Sequence, residues 1–344
     1  MAPPHIITII GSLNTDLVTR TSRVPSAGET LIAQSFDTGS GGKGANQAVA
    51  CARLSRTKAS VVQNKKRKLG SDDEGSSVER SKASSAEDVV VKMVGAVGDD
   101  VFGRPLVAGL EEDGIDVSGV RVSESTSTGV ACIIVDETTG DNRILVTPGA
   151  NYLLRPEQFR DLPPPLPALF VLQLEIPLDT VLEILQLASS NEVAVLLNPA
   201  PATELPDEAY KAITHLIVNK SEAAILSGIA EEEVVDERID SLAADFIRRG
   251  VQNVVITLGG QGAFFKQQGG TTGRCAAEKV DVVDTTAAGD TFAGAYAIEA
   301  AKATGGEFMI DEAVQRASKA AAYTVQRKGA QSAIPWLNEA FPAS

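Results

Sequence analysis

Between residues 169 and 258 the chain alternates short apolar, β-branched runs with helical patterns. The runs cover 169–174, 193–197, 216–218 and 253–258. The helical patterns cover 178–189, a stretch after Asp207, one from Ser221, and 236–249. Strand and helix repeating in turn imply a parallel sheet covered by helices on both faces. The runs at 6–10 and 89–94 read as further buried strands, the second followed by a helix near 102–113. Residues 44–54, 289–303 and 311–327 are Ala-rich and helical. The expected fold class is therefore α/β with a mostly parallel central sheet, in a single domain over residues 1–344. Around a Pro25/Gly28 turn, 16–20 and 30–38 fit a small sheet outside the main one, and 117–122, 129–135 and 143–146 read as short strands.

A chain of 344 residues, 43% hydrophobic and 22% charged, can bury a large core. The net charge of −14 argues against nonspecific nucleic-acid binding, although a few lysines and N–H groups can still reverse the field in one cleft. Cys51, Cys132 and Cys275 are too few and too scattered for a disulfide framework, which points to a reducing compartment. His5 and His215 cannot supply a zinc cluster, and His215 is expected to be structural or at the surface rather than catalytic. The first residues do not read as a signal peptide, and no apolar run reaches membrane-span length, so a cytoplasmic protein without a membrane partner is expected.

Residues 63–88 depart from this pattern. They are rich in charge and serine and contain no aromatic residue, a composition that cannot offset its ordering entropy. A disordered surface insertion is expected there. Lys65-Lys66-Arg67-Lys68 has the composition of a nuclear import signal, and Ser71-Asp72-Asp73-Glu74 that of an acidic-directed phosphorylation site; a solvated charge run is the alternative to both.

In open α/β sheets ligands bind beyond the carboxyl ends of the strands. Asn14, Glu175, Asn219 and Gly259 all follow predicted strands. Asn14 and Asp16, two apart on an extended segment, face one side and suit a vicinal diol; an Asx turn is the alternative. Gly39-Ser40-Gly41-Gly42-Lys43-Gly44 formally matches the dinucleotide pattern of a dehydrogenase. No acid stands about 20 residues on to hold a ribose hydroxyl, the next being Asp72. What remains is a run that admits a ligand close to the backbone, with Lys43 and Asn46 as donors. Asn219 and Glu222, three apart at a strand-to-helix junction, fit either a water-mediated Mg²⁺ contact or a helix start. The turn from Thr257 through Gly259, Gly260 and Gly262 can lie against a nucleotide or simply reverse the chain. In Asp284-Thr285-Thr286-Ala287-Ala288-Gly289-Asp290, a carboxylate stands where a helix begins. Helix-start N–H groups make an anion site, and a carboxylate beside them can take a proton from a hydroxyl attacking phosphate; Asp is also a common N-cap.

Taken together, Gly11-Ser12-x-Asn14-x-Asp16, Gly41-Gly42-Lys43-Gly44-Ala45-Asn46-Gln47-Ala48, Asn219-x-x-Glu222 and Asp284 through Asp290 resemble the ordered motifs of the ribokinase/PfkB carbohydrate-kinase family. Asn198-Pro199-Ala200-Pro201-Ala202 and Arg327-Lys328-Gly329-Ala330-Gln331 narrow the match to its ribose-phosphorylating members. The resemblance spans nearly the whole chain apart from the insertion. It implies a three-layer α/β/α fold with a small β-sheet lid built from about 14–40 and 117–146, and ATP-dependent phosphorylation of D-ribose at O5. Asp290 would match the general base, with Ala287, Ala288 and Gly289 as its anion hole. Asn14, Asp16, Gly41, Gly42, Lys43, Asn46 and Glu175 would match sugar-binding positions. Asn219, Thr257, Gly259, Gly260, Gly262, Gly289 and Ser318 would match nucleotide-binding positions, with Glu222 linked to Mg²⁺ through water. A monovalent cation, K⁺, would be held at Asp284, Thr286, Thr324, Arg327 and Gly329. A homodimer through the lid is implied as well.

Two departures stand out: Ala333 occupies a position where bacterial members have a serine near the cation, and Ser318 one where some have a histidine near adenine. The alternatives are a family kinase for another acceptor (a ketose, deoxyribose or adenosine), or a non-catalytic sugar-binding regulator. The regulator is disfavoured because Asp290 and Gly289 are both present.

Overall fold

The computed structural model describes residues 4–69, 89–139, 141–162 and 164–342. The strands are β1 His5–Ile10, β2 Asn14–Thr21, β3 Ser35–Gly41, β4 Val89–Gly98, β5 Asp116–Ser123, β6 Gly129–Asp136, β7 Asn142–Thr147, β8 Leu169–Leu172, β9 Ala194–Leu197, β10 His215–Asn219, β11 Asn253–Thr257, β12 Ala263–Gln267 and β13 Thr272–Cys275. The helices are α1 Lys43–Ser55, α2 Lys58–Leu69, α3 Gly103–Glu112, α4 Leu178–Ser190, α5 Asp207–Tyr210, α6 Lys220–Ser227, α7 Asp236–Arg249, α8 Ala288–Lys302, α9 Ile310–Thr324 and α10 Leu337–Ala340.

The main sheet has nine strands in the order β13-β12-β11-β10-β9-β8-β1-β4-β5, parallel from β5 to β11. The β12–β13 hairpin adds two antiparallel strands at one edge. Every residue of β8 is buried, because alternate side chains feed cores on opposite faces. Leu169 and Val171 join the helices α1, α3, α8 and α9; Phe170 and Leu172 join α4, α6 and α7. A strand covered on both faces reads as a continuous apolar run, which is why the sequence pattern found it. β1 pairs with β4 on one side and β8 on the other, so the chain reverses its winding there and opens a crevice at the carboxyl end of β1.

The small sheet has the order β3-β2-β6-β7. It corrects the lid boundary: residues 117–122 lie in β5, the parallel edge strand beside β4 in the main sheet. Their alternating pattern fits either location, and only pairing decides it. A second correction concerns the insertion. Residues 63–69 complete α2, where good helix formers continue the helix; the remainder, 70–88, including the Ser71–Glu74 acidic run, lies outside the described residues.

Two interior contacts tie the helices to each other and to the sheet. Helices α1 and α8 touch at Gly294, where a Cβ would stand 2.4 Å from Ala50 Cβ. His215 is buried, its Nδ1 3.0 Å from Tyr296 Oη and its ring edge-on to Tyr296 and Phe308, the structural of its two expected roles. Among the described residues no helix is long and apolar enough to cross a membrane.

Candidate active site

Gly42 caps α1 with φ 87°, and a Cβ on it would lie 2.6 Å from the Asn14 backbone nitrogen. Only glycine lets the helix begin this close to the turn after β1. Glu175, just past β8, sits at that helix start. Its Oε2 accepts from Ser12 Oγ at 2.5 Å, Lys43 N at 3.0 Å and Asn14 Nδ2 at 3.3 Å. A carboxylate at a helix N-terminus meets both free donors and the positive end of the helix dipole. Asn14 is held from its other side by Asn151, whose Nδ2 donates to Asn14 Oδ1 at 2.7 Å. Asn151 also bonds the Leu13 backbone through both amide atoms. Asn151 and Ser12 were not among the expected residues; an isolated Asn after a proline turn carries no signal by itself.

The charges converge. Burial, then Glu175 and Asp290, push the Asp16 carboxyl up to about 7, with Lys43 opposing. Burial works to lower the Lys43 ammonium, but Asp290, Glu175, Glu222 and Asp16 outweigh it and raise its pKa. Lys43 is thus the cation whose charge these four carboxylates favour.

Asp290 is buried in the first turn of α8. Its Oδ2 accepts from Asn46 Nδ2 at 2.9 Å and its Oδ1 from Gln47 Nε2 at 3.0 Å. Among the described residues no side chain caps α8, and Ala287 precedes it in the left-handed region at φ 58°. Such a conformation costs a non-glycine residue about 1–2 kcal/mol. Ala288 N–H is taken by the Thr285 carbonyl at 3.2 Å, so Gly289 and Asp290 supply the first-turn N–H groups that face outward from the turn.

Beside this turn lies a cavity of about 1120 Å³. All of the expected nucleotide positions line it: Asn219, Thr257, Gly259, Gly260, Gly262, Gly289 and Ser318. Residues 276–282, Phe292 and Val325 are among the other lining residues and were not foreseen. Asn219 and Glu222 form a capping box at the start of α6: Asn219 N donates to Glu222 Oε2 at 2.9 Å and Glu222 N to Asn219 Oδ1 at 2.8 Å. The helix-start reading of this pair is therefore realised. Burial raises the Glu222 pKa, against the Asn219 N–H and Lys43.

At the other end of the run, Asp284 Oδ1 accepts from Thr286 N at 2.9 Å and Thr286 Oγ1 at 2.6 Å, and Oδ2 from Gly329 N at 3.0 Å. Burial opposes the Asp284 charge, but these donors outweigh it and hold the carboxyl below its usual value. The Thr324 and Arg327 side chains turn away from this group. Thr324 Oγ1 donates to Thr291 Oγ1 at 3.0 Å, and Arg327 Nη2 donates to Tyr323 Oη at 2.6 Å. Ala333 is fully buried nearby. Among the described residues no group of three or more His, Cys, Asp or Glu side chains is placed to hold a metal.

A cluster of polar side chains ending at a helix-start carboxylate, beside a glycine-walled cavity, fits a phosphotransferase acting on a small hydroxylated acceptor. The chain belongs to the pfkB family of carbohydrate kinases, whose model matches residues 5–337. It is 42% identical over 338 residues to a ribokinase of Schizosaccharomyces pombe, covering 97% of this chain and 96% of the relative. Among solved structures it resembles a ribokinase of Thermotoga maritima, at 32% identity and TM-score 0.78 with 98% of each chain covered. It also resembles the Arabidopsis thaliana ribokinase complexed with ribose and ATP, at 27% identity and TM-score 0.78 with both chains fully covered. The protein is an ATP-dependent sugar kinase with the three-layer fold and small β-sheet of that family.

Proposed function

We propose that this chain transfers the γ-phosphate of ATP to O5 of D-ribose. The observation that carries the reading is Asp290: it is buried at an uncapped helix start, with the amides of Asn46 and Gln47 on its two oxygens and the glycine-walled cavity alongside. Asp290 takes the proton of the primary hydroxyl as that oxygen attacks phosphorus, and the first-turn N–H groups stabilise the charge that develops. Asn14, Asp16, Gly41, Gly42, Lys43, Asn46 and Glu175 hold the sugar. Asn46 Oδ1 is buried without a partner among the described residues, and a sugar hydroxyl would satisfy it. ATP occupies the cavity bounded by Asn219, Thr257 and the 259–262 turn, with Ser318 on the opposite wall.

Mg²⁺ would neutralise phosphate charge, with Glu222, a hard oxygen donor beside Lys43 and Asp290, reaching it through water. K⁺ would be held by Asp284 together with oxygens of Thr286, Thr324, Arg327 and Gly329. The donor set is all oxygen and carries a single well-held carboxylate, which suits a monovalent ion. From Thr324 and Arg327 the oxygens involved would be main-chain ones.

Two copies pair through the small sheet. Its edge strand β7 exposes Ile144, Leu145 and Val146, and edge strand β3 exposes Phe36, a concentration of apolar side chains that a second subunit would cover. The test of the activity is an ADP-release assay across D-ribose, deoxyribose, fructose and adenosine, with and without K⁺. A turnover preference for another acceptor would replace ribose, and no acceptor-dependent ADP at all would remove the reading.

A further inference from the structure

Behind Asp290 runs a chain of buried amides that the acceptor and nucleotide sites do not use. Its polarity is set at one end. The Ile217 carbonyl in β10 can only accept, and Asn198 Nδ2 donates to it at 3.0 Å. Asn198 therefore presents Oδ1 to Gln47, whose Nε2 donates to it at 3.1 Å. The same Gln47 nitrogen donates to Asp290 Oδ1 at 3.0 Å. Gln47 Oε1, left facing the other way, accepts from Gln173 Nε2 at 2.6 Å. Gln47 and Gln173 are fully buried, and Asn198 nearly so.

An amide can flip, and a flipped Gln47 would point its carbonyl at a carboxylate. Here the flip is forbidden. It would set oxygen against oxygen at both Asn198 and Asp290; Gln173, whose Oε1 has no partner among the described residues, could turn to follow it and does not oppose the flip. A main-chain carbonyl in the central sheet thus determines, through two side chains, that Asp290 meets a donor on this oxygen. With Asn46 on Oδ2, each oxygen of the carboxylate has one fixed amide, and its ring of approach is narrowed to the lone pairs left over. A general base works only within hydrogen-bond reach and proper aim of the hydroxyl it deprotonates.

We propose that Gln47 is a positioning residue for Asp290, that Asn198 acts through it by locking its amide orientation, and that Gln173 acts through it by donating to its carbonyl oxygen. This rests on the reading of Asp290 as the base.

The test compares Gln47→Leu, Gln47→Glu, Gln173→Leu and the Gln47→Leu/Gln173→Leu double variant, in the full chain, by steady-state kinetics with D-ribose and ATP. Gln47→Leu is expected to lower kcat about 10- to 100-fold while both KM values stay within about threefold. Gln47→Glu keeps the shape but loses the donor, and is expected to fall with it. Gln173→Leu loses less, with the same split, and adds nothing in the double variant, because its effect passes through Gln47. Unchanged kcat in Gln47→Leu or Gln47→Glu overturns the proposal. Additive losses, or kcat and KM worsening together in step with thermal stability, also overturn it by marking a packing role. Should Gln47→Leu fail to fold, Gln173→Leu and Gln47→Glu decide by the same criteria. An active Asp290→Ala would instead remove the base reading; an inactive Asp290→Ala beside a fully active Gln47→Leu removes only the positioning role.

Discussion

Asn46 Nδ2 donates to Asp290 Oδ2 across 2.9 Å, joining two residues 244 positions apart in sequence. The first turn of α1 thereby touches the first turn of α8, and the proposed sugar-holding residue Asn46 meets the proposed base at one bond.

Replacing Asp290 by Ala removes the proposed proton acceptor while leaving both helices. D-ribose-dependent ADP formation is expected to fall by about 10²–10⁴-fold. Circular dichroism should show an unchanged fold.

Asn151 satisfies both polar groups of the Leu13 backbone and orients Asn14. Asn151→Ala strands these buried groups and should cost about 2–4 kcal/mol by urea unfolding. With Asn14 no longer aimed, the KM for the sugar should rise while the KM for ATP holds.

Asp16 gives a pH signature in stability. Its folded-state pKa of about 7 lies above the ordinary 3.8. Between these values the native chain keeps a proton that the unfolded chain has released, so stability is fully present below the lower value and declines as pH rises through 7. The loss is at most about 4 kcal/mol, less what water in the open cleft screens. Asp16→Asn should flatten the fall in Tm between pH 4 and pH 7.5, measured without ligand; an identical slope would contradict the shift.

The Asp284 carboxylate is the one formal negative charge among the proposed cation ligands. K⁺ should raise the kinase rate above that in Na⁺, and Asp284→Asn should abolish most of that stimulation. Rates across a K⁺ titration measure both.

Gly294→Ala forces a methyl against Ala50 at the α1–α8 crossing. Overpacking of this kind costs about 1–3 kcal/mol, read as a lower midpoint in denaturant. Because the helices separate near Asn46 and Asp290, kcat should drop as well.

Much of this architecture was legible because its strands are buried on both faces. β8 is an unbroken apolar run, β10 and β11 carry apolar runs between polar ends, and α7 matches its expected span of 236–249. Placement of β5 was not legible, since whether a strand joins the lid or the main sheet depends on its partner and not on its own side chains. The β12–β13 hairpin escaped because its strands are only five and four residues long and β13 has no buried residue. The site was readable where glycines and carboxylates sit beyond strand ends. Asn151, Gln173 and the 276–282 wall were not, because their roles arise from contacts with residues more than a hundred positions away or from main-chain shape. Asn219 and Glu222 carried two meanings in sequence, and the helix cap is realised in their bonds.

The tight crossing at Gly294 has a consequence for how acceptor preference can change. Asn46 and Gln47 on α1 and Asp290 on α8 are joined by amide–carboxylate bonds next to that crossing, and none of these contacts involves a residue of the β2–β3–β6–β7 sheet. That sheet brings Asn14 and Asp16 from β2 and Gly41 from β3. Exchanging the sheet for a relative's is therefore a modular operation: it would redirect which hydroxyl compound is chosen and leave the transfer machinery running as before.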